Sequence, residues 1–206
     1  MFITLEGPDG SGKSSQVPVL AEAIRQAGYD LVVTREPGGT EIGDQVRQII
    51  MDLKNTGMFP HTEILLFQAS RAQLVREVIR PNLEAGKVVL CDRYADATLA
   101  YQGYGHETDL LELRRVVEYA TGGLKPDLTL YLDIDVEKGL RRKGKGDEWN
   151  RLDAYEVEFH ERARAGYLEL IAQEPDRWVV IDAGQSVKQV QEDLKRVVLE
   201  RLRAGE

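Results

Sequence analysis

The stretch Gly7–Ser15, "GPDGSGKSS", follows directly on the short apolar run "FITLE" at 2–6. Its Gly7-x-x-x-x-Gly12-Lys13-Ser14 spacing is the complete P-loop pattern. Glycines let the backbone turn tightly, so that successive N–H groups point into one concavity. The positive end of a helix starting near Lys13 adds to that nest, and together they hold the phosphates of a nucleotide. In such a cradle Gly7, Pro8, Asp9, Gly10, Ser11, Gly12, Lys13, Ser14 and Ser15 surround the phosphates of a nucleoside triphosphate. Lys13 reaches the β- and γ-phosphates, and the Ser14 hydroxyl takes a place on Mg²⁺. The bland reading is a glycine-rich turn with a surface lysine. A strand before it and a helix after it argue against that.

Outward from the loop, four further apolar runs stand out: "DLVVT", "KVVLCD", "LTLYLDI" and "RWVVID". They are apolar throughout rather than alternating, as strands buried on both faces are. Helical patterns separate them, at about 13–27, 41–52, 61–84, 109–120, 150–173 and 187–203. This alternation predicts an α/β P-loop NTPase fold, a five-stranded parallel sheet flanked by helices on both faces. Pro18 and Pro81 are expected to kink or shorten their helices. No repeat or linker interrupts the chain, so 1–206 reads as one domain with a basic lid at about 141–151.

Composition narrows the function. The 206 residues are 42% apolar with a formal net charge of −8. Broad nucleic-acid binding needs a basic face, which this balance does not provide. No run approaches the roughly 18 apolar residues of a membrane span, and no basic leader precedes the first strand. The single cysteine, Cys91, allows no internal disulfide and reads as a buried small hydrophobe. A reducing, cytoplasmic setting fits.

Further segments carry chemistry. Asp92 closes a strand, where a second carboxylate meets Mg²⁺ in P-loop proteins, although a turn residue is the simpler alternative. Arg93 beside it is a forked, permanently charged donor at the carboxyl edge of the sheet, where ligands bind. "GLRRKGKGDEWNR" gathers Arg141, Arg142, Lys143, Lys145 and Arg151 in an acidic protein. Alone it would be a solvated basic loop. Beside a P-loop it can close over the migrating phosphoryl group and supply cations. "TREPGGTE" carries Arg35 and Glu36. "LLFQASRAQL" sets Phe67 and Arg71 on one helix face; on composition Phe67 is core and Arg71 a surface cation, and the alternative is an aromatic plate for a base with an arginine at its edge.

Together "LEGPDGSGKSSQ", "TREPGGTEIG", "LLFQASRAQL", "VVLCDRYADATLAYQG", "KPDLTLYLD" and "RRKGKGDEWNRLD" resemble the thymidylate kinase family, of the nucleoside monophosphate kinase group. The resemblance spans most of the chain, and "REPGG" with "DRY…AYQG" is its specific part. It implies transfer of the γ-phosphoryl of ATP, with Mg²⁺, to dTMP, giving ADP and dTDP, in a homodimer. It places Asp9 by the acceptor sugar and phosphate, Phe67 on thymine, Arg71 at the carbonyl edge of the base and Arg93 on the acceptor phosphate. Thr98 falls near the base, Tyr101 against a ribose 2′-hydroxyl and Gln102 near the sugar. Glu36 and Arg47 support the pocket. Lys13, Arg93, Asp9, Arg142 and Arg151 are then the catalytic set, with Ser14 and Asp92 on the metal and Lys143 and Lys145 behind the two lid arginines.

The chain also departs from the family pattern. Where some members carry a P-loop arginine this chain has Gly10, so the lid must furnish the cation. Gly144 and Gly146 fall where related lids carry arginines, and Ala97 replaces a serine. Asp96 has no evident role. One rival is a kinase of the same fold acting on a nucleoside or another monophosphate, with Glu36 as base for a neutral hydroxyl. Another is a nucleotide-dependent binding switch, although no "NKxD" guanine reader is present.

Overall fold

The computed structural model describes residues 1–144 and 150–205. Lys145 and Gly146 of the basic segment lie outside them. Strand β1 (Phe2–Glu6) leads through the glycine loop into α1 (Lys13–Gln26), then β2 (Leu31–Arg35) and α2 (Glu41–Met51). Helix α3 (Pro60–Leu74) runs through a π-turn at 75–79 into α4 (Arg80–Glu84). Strand β3 (Val88–Asp92) precedes α5 (Ala95–Thr98), a π-helical segment at 99–105 and α6 (Leu110–Thr121). There follow β4 (Leu128–Asp133), α7 (Val136–Lys143), α8 (Val157–Gln173), β5 (Trp178–Asp182) and α9 (Val187–Ala204).

The five strands form one parallel sheet in the order β2-β3-β1-β4-β5. One face packs Ile3, Leu5 and Leu130 against Leu20 and Ile24 of α1 and Leu194 and Val198 of α9. The other face is covered by α8, where Tyr167 and Leu170 meet Tyr131 and Trp178, and by α3 and its π-turn over Phe2 and Val89. The apolar strand runs are explained by this double cover. Among the described residues no helix is long and apolar enough to cross a membrane.

Where the helices depart from the periodicity, the causes are local. Pro18 lies inside α1 without ending it. The 61–84 pattern is interrupted by the π-turn, and Pro81 falls at the start of the last turn, where its missing N–H costs least. The 150–173 pattern splits because Asn150 and Asp153 form a capping box around a 3₁₀ turn at 151–154, and Glu156 is extended before α8 begins. Two helical stretches were not evident in the sequence. Gly103 and Gly105 mask the stretch formed by α5 and the π-helical segment at 99–105, and α7 takes up the first half of the basic run that reads as loop, capped by Asp135, whose Oδ1 accepts from the Lys138 N–H at 2.9 Å.

Asp96, unexplained by the sequence, is a structural tie. Its carboxylate takes two 2.8 Å bonds from the Arg177 guanidinium, which also donates to Thr129 and lies 4.7 Å from the Trp178 ring centroid. The pair joins α5 to the entry of β5 and is buried at Asp96. Removing one partner of such a pair leaves a poorly solvated charge. Asp96→Ala is expected to lower unfolding free energy by about 3 kcal/mol in urea titrations, with little change in kinetics.

Candidate active site

The carboxyl edge of the sheet opens on a cavity of about 1390 Å³. Asp9 to Ser15 form its floor, with Glu36, Arg47 and Phe67 on one side and Arg142, Ala183 and Gln185 at the far end. Gly7, Gly10 and Gly12 hold φ of 147°, 73° and 94°, conformations that L side chains rarely adopt. The loop therefore turns inward ahead of α1. Lys13 Nζ donates to the carbonyls of Gly7 and Pro8, both at 2.9 Å. Burial, with Arg93 nearby, brings that ammonium down to about 8, against the pull of Asp9, Asp92 and Glu6.

Asp9 is the node of the site. Its carboxylate accepts from Arg93 at 3.0 Å, from Lys143 Nζ at 3.1 Å and from the Tyr101 hydroxyl at 2.9 Å. Burial raises this acid, but Arg93, Lys143 and Lys13 outweigh it and hold it far below the usual carboxylate range. Arg93 is one of two non-glycine residues at positive φ among the described residues, at 67°. Its guanidinium carbon lies 5.0 Å from the Tyr101 ring centroid. Non-glycine residues in this conformation concentrate at functional sites.

Asp92 Oδ1 is buried without a hydrogen-bond partner and Asp92 lines the same cavity as Ser14. An orphaned carboxylate oxygen and a hydroxyl are hard oxygen donors that suit Mg²⁺, which takes few protein ligands and completes its shell from phosphates and water. Among the described residues no cluster of three His, Cys, Asp or Glu side chains could hold a metal unaided. The residues thus fit a cation that arrives with a nucleotide.

Several residues read as direct contacts sit one layer back. Arg71 is fully buried and every one of its donors is engaged: two go to Glu36 at 2.7 and 2.5 Å, and one each to Gln68, Thr98 and the Tyr94 carbonyl. It is neither the surface cation of the bland reading nor, in this arrangement, free to read a base edge. Thr98 accepts from Arg71 and Gln68, and neither Arg71 nor Thr98 lines the cavity. Glu36 keeps Oε1 unpartnered in the cavity wall, and burial raises its carboxyl despite Arg71. Arg47 lines the cavity while donating to the Pro37 carbonyl at 2.9 Å. Gln102 also lines it, its amide turned to Glu63 at 2.8 Å.

The largest correction concerns Arg151. It does not face the cradle: its guanidinium is bonded to Glu63, Tyr155 and the Ile50 carbonyl, and it is 3% exposed. Glu63, which also receives Gln102 and His106, is buried yet brought to about 2, because those bonds and the Arg151 charge outweigh desolvation. Lys143, from the same basic run, lies between Asp9 and Asp153, at 3.1 and 2.5 Å. Arg142 lies at the far end, donating to the Ala183 carbonyl at 3.0 Å. The far wall of Ala183, Gln185, Val187 and Val190 was not foreseen, although "DAGQS" after a strand at the carboxyl edge is where the fold places ligands.

Helix α7 brings Lys143 to Asp9 through a glycine contact. A Cβ on Gly10 would lie 1.9 Å from the Gly139 carbonyl oxygen, and one on Gly139 2.3 Å from the Asp9 carbonyl oxygen. The two backbones touch, so no side chain of any kind fits at Gly10.

A strand, a phosphate-binding glycine loop and a helix in a β2-β3-β1-β4-β5 parallel sheet define a P-loop NTPase fold. The family description "Thymidylate kinase" matches residues 5–194, and the chain belongs to that family. Thymidylate kinase of Roseiflexus castenholzii is 55% identical over 211 residues, covering 96% of this chain and 92% of the relative. That of an Exiguobacterium species is 48% identical over 205 residues, with 100% and 97% covered. The crystal structure of thymidylate kinase from Ehrlichia chaffeensis superposes with a TM-score of 0.79 at 32% identity, over 97% of this chain and 98% of that one.

Gly139→Ala tests the glycine contact. Gly139 is buried, and a methyl group there must push α7 off the loop backbone. The expected result is a melting temperature lowered by overpacking that costs about 1–3 kcal/mol, with an ATP KM increased at least tenfold in the folded enzyme, by about the 1.4 kcal/mol that corresponds to one decade.

Proposed function

We propose that the chain transfers the γ-phosphoryl of ATP to dTMP, giving ADP and dTDP, with ATP in the Gly7–Ser15 cradle and dTMP opposite it against Phe67, Arg93 and Tyr101. The observation that carries this is the Asp9 node. One carboxylate ties the nucleotide loop to Arg93 and Tyr101 on the acceptor side and to Lys143 on the lid.

The chemistry asks for little beyond that. The acceptor phosphate carries about −1.5 to −2 charges, so its oxygen is already nucleophilic at neutral pH and no general base is required. What the protein supplies is in-line positioning and the neutralisation of two polyanions that repel each other. In this reading Lys13 exchanges the Gly7 and Pro8 carbonyls for the β- and γ-phosphates, and Arg93 holds the acceptor phosphate. Lys143 is the lid cation that meets the transferred group, Arg142 serves the far end of the cavity, and Arg151 anchors the lid. Tyr101, fixed to Asp9, fills the space a ribose 2′-hydroxyl would need. A Mg²⁺ ion at Ser14 and Asp92 would neutralise the β- and γ-phosphate oxygens.

The same reading includes a homodimer. Ile42 and Ile49 on α2, Leu65 on α3, and Leu111 and Tyr119 on α6 are exposed apolar side chains on helices that adjoin one another, α2 against α3 and α3 against α6. A cytoplasmic setting accords with the single buried Cys91.

Two measurements test these statements. ADP release across dTMP, dUMP, dCMP and thymidine should be fastest with dTMP, and thymidine as the better acceptor would overturn the assignment. Sedimentation should give a dimer that Leu65→Glu converts to a monomer; a wild-type monomer would remove the oligomeric part alone.

A further inference from the structure

Glu6 ends β1 beneath the cavity and is fully buried, as is Tyr167 on α8. The Tyr167 ring packs on Tyr131 and Trp178, but packing explains neither its hydroxyl nor the acid: a carboxyl group at 0% exposure is costly, and the strand around it is otherwise apolar or hydroxylic. Both of its hydrogen bonds lead to one residue. Oε1 accepts from the Tyr94 N–H at 2.7 Å, the peptide group immediately after Arg93. Oε2 accepts from the Tyr167 hydroxyl at 2.7 Å, whose oxygen in turn receives the Arg93 guanidinium at 3.4 Å. Arg93 is the residue whose backbone sits at φ 67°. A conformation of that kind persists only when its surroundings over-determine it.

We infer that Glu6 and Tyr167 are positioning residues for Arg93, the carboxyl group fixing the backbone on its far side and the phenol aiming its guanidinium. The inference rests on the reading of Arg93 as the holder of the acceptor phosphate. From the cavity side Asp9 and Tyr101 fix the other edge of the same guanidinium. Arg93 is thus gripped from above and below, and an incoming phosphate meets it already oriented. Glu6 touches neither substrate in this account. Its effect passes through Arg93 and belongs to the acceptor, not to ATP.

The test is a set of double-mutant cycles on the full chain, with steady-state kinetics in both dTMP and ATP. Tyr167→Phe keeps the ring against Tyr131 and Trp178 and removes only the hydroxyl. It should raise the KM for dTMP about three- to tenfold, and Glu6→Gln about tenfold or more, with the KM for ATP changed less than about twofold. In an Arg93→Ala background neither change should lower kcat/KM for dTMP by more than about twofold further. If Glu6→Gln fails to fold, Tyr167→Phe decides the matter by itself. Penalties that multiply with Arg93→Ala, or that fall equally on ATP, overturn the inference while leaving the acceptor reading intact. Unchanged dTMP kinetics in Arg93→Ala would overturn both.

Discussion

The attraction of Arg93 and Lys143 for one partly buried carboxylate, Asp9, is the constraint on which the site depends. Asp9 belongs to the glycine loop, Arg93 to the end of β3 and Lys143 to the end of α7, so three elements converge on two oxygen atoms. The convergence resolves an apparent conflict in composition. A chain of net charge −8 must handle phosphates, and it does so by holding a few cations where desolvation strengthens their fields. Asp9 keeps those cations together in a compact group, at the cost of part of their charge.

Behind this front lies a layer of closed ion pairs. Arg71 with Glu36, Arg151 with Glu63 and Arg177 with Asp96 are each buried on the acid side, and each joins segments far apart in the chain. Such pairs contribute little net stability against apolar replacements, but they leave one arrangement far better satisfied than its neighbours. Their work is to fix the walls: Arg71 ties Glu36 to Thr98 and the Tyr94 carbonyl, and Arg151 ties its own segment to Glu63 and the Ile50 carbonyl.

What the sequence made legible follows from the range of each interaction. The P-loop, the buried strands and the parallel sheet depend on local spacing and apolar runs, and these are written contiguously. Cavity residues such as Phe67, Arg93 and Tyr101 were accessible through the family resemblance. The roles of Arg71 and Arg151 were not, because charge alone does not tell a ligand-facing guanidinium from one spent on an acid 35 or 88 residues away. The same limit hid Asp96. Glu6 belongs to the same class, since an acid closing an apolar run looks like a strand end until its depth is known. Nor does the sequence of the basic run show that Lys143 pairs with Asp9 while Arg142 bonds to the Ala183 carbonyl, because both follow from the helical phase of α7.

The backbone contact between Gly10 and Gly139 also bears on how this enzyme could change over time. An arginine introduced into the loop cannot be accommodated while α7 rests on it, so a lineage moving its cation from one element to the other would have to shift the helix first. Intermediates on that route would lose Lys143 from its partner before the newcomer could act. Because each glycine leaves room for the other's backbone, descendants of this chain are expected to keep both or replace them in concert.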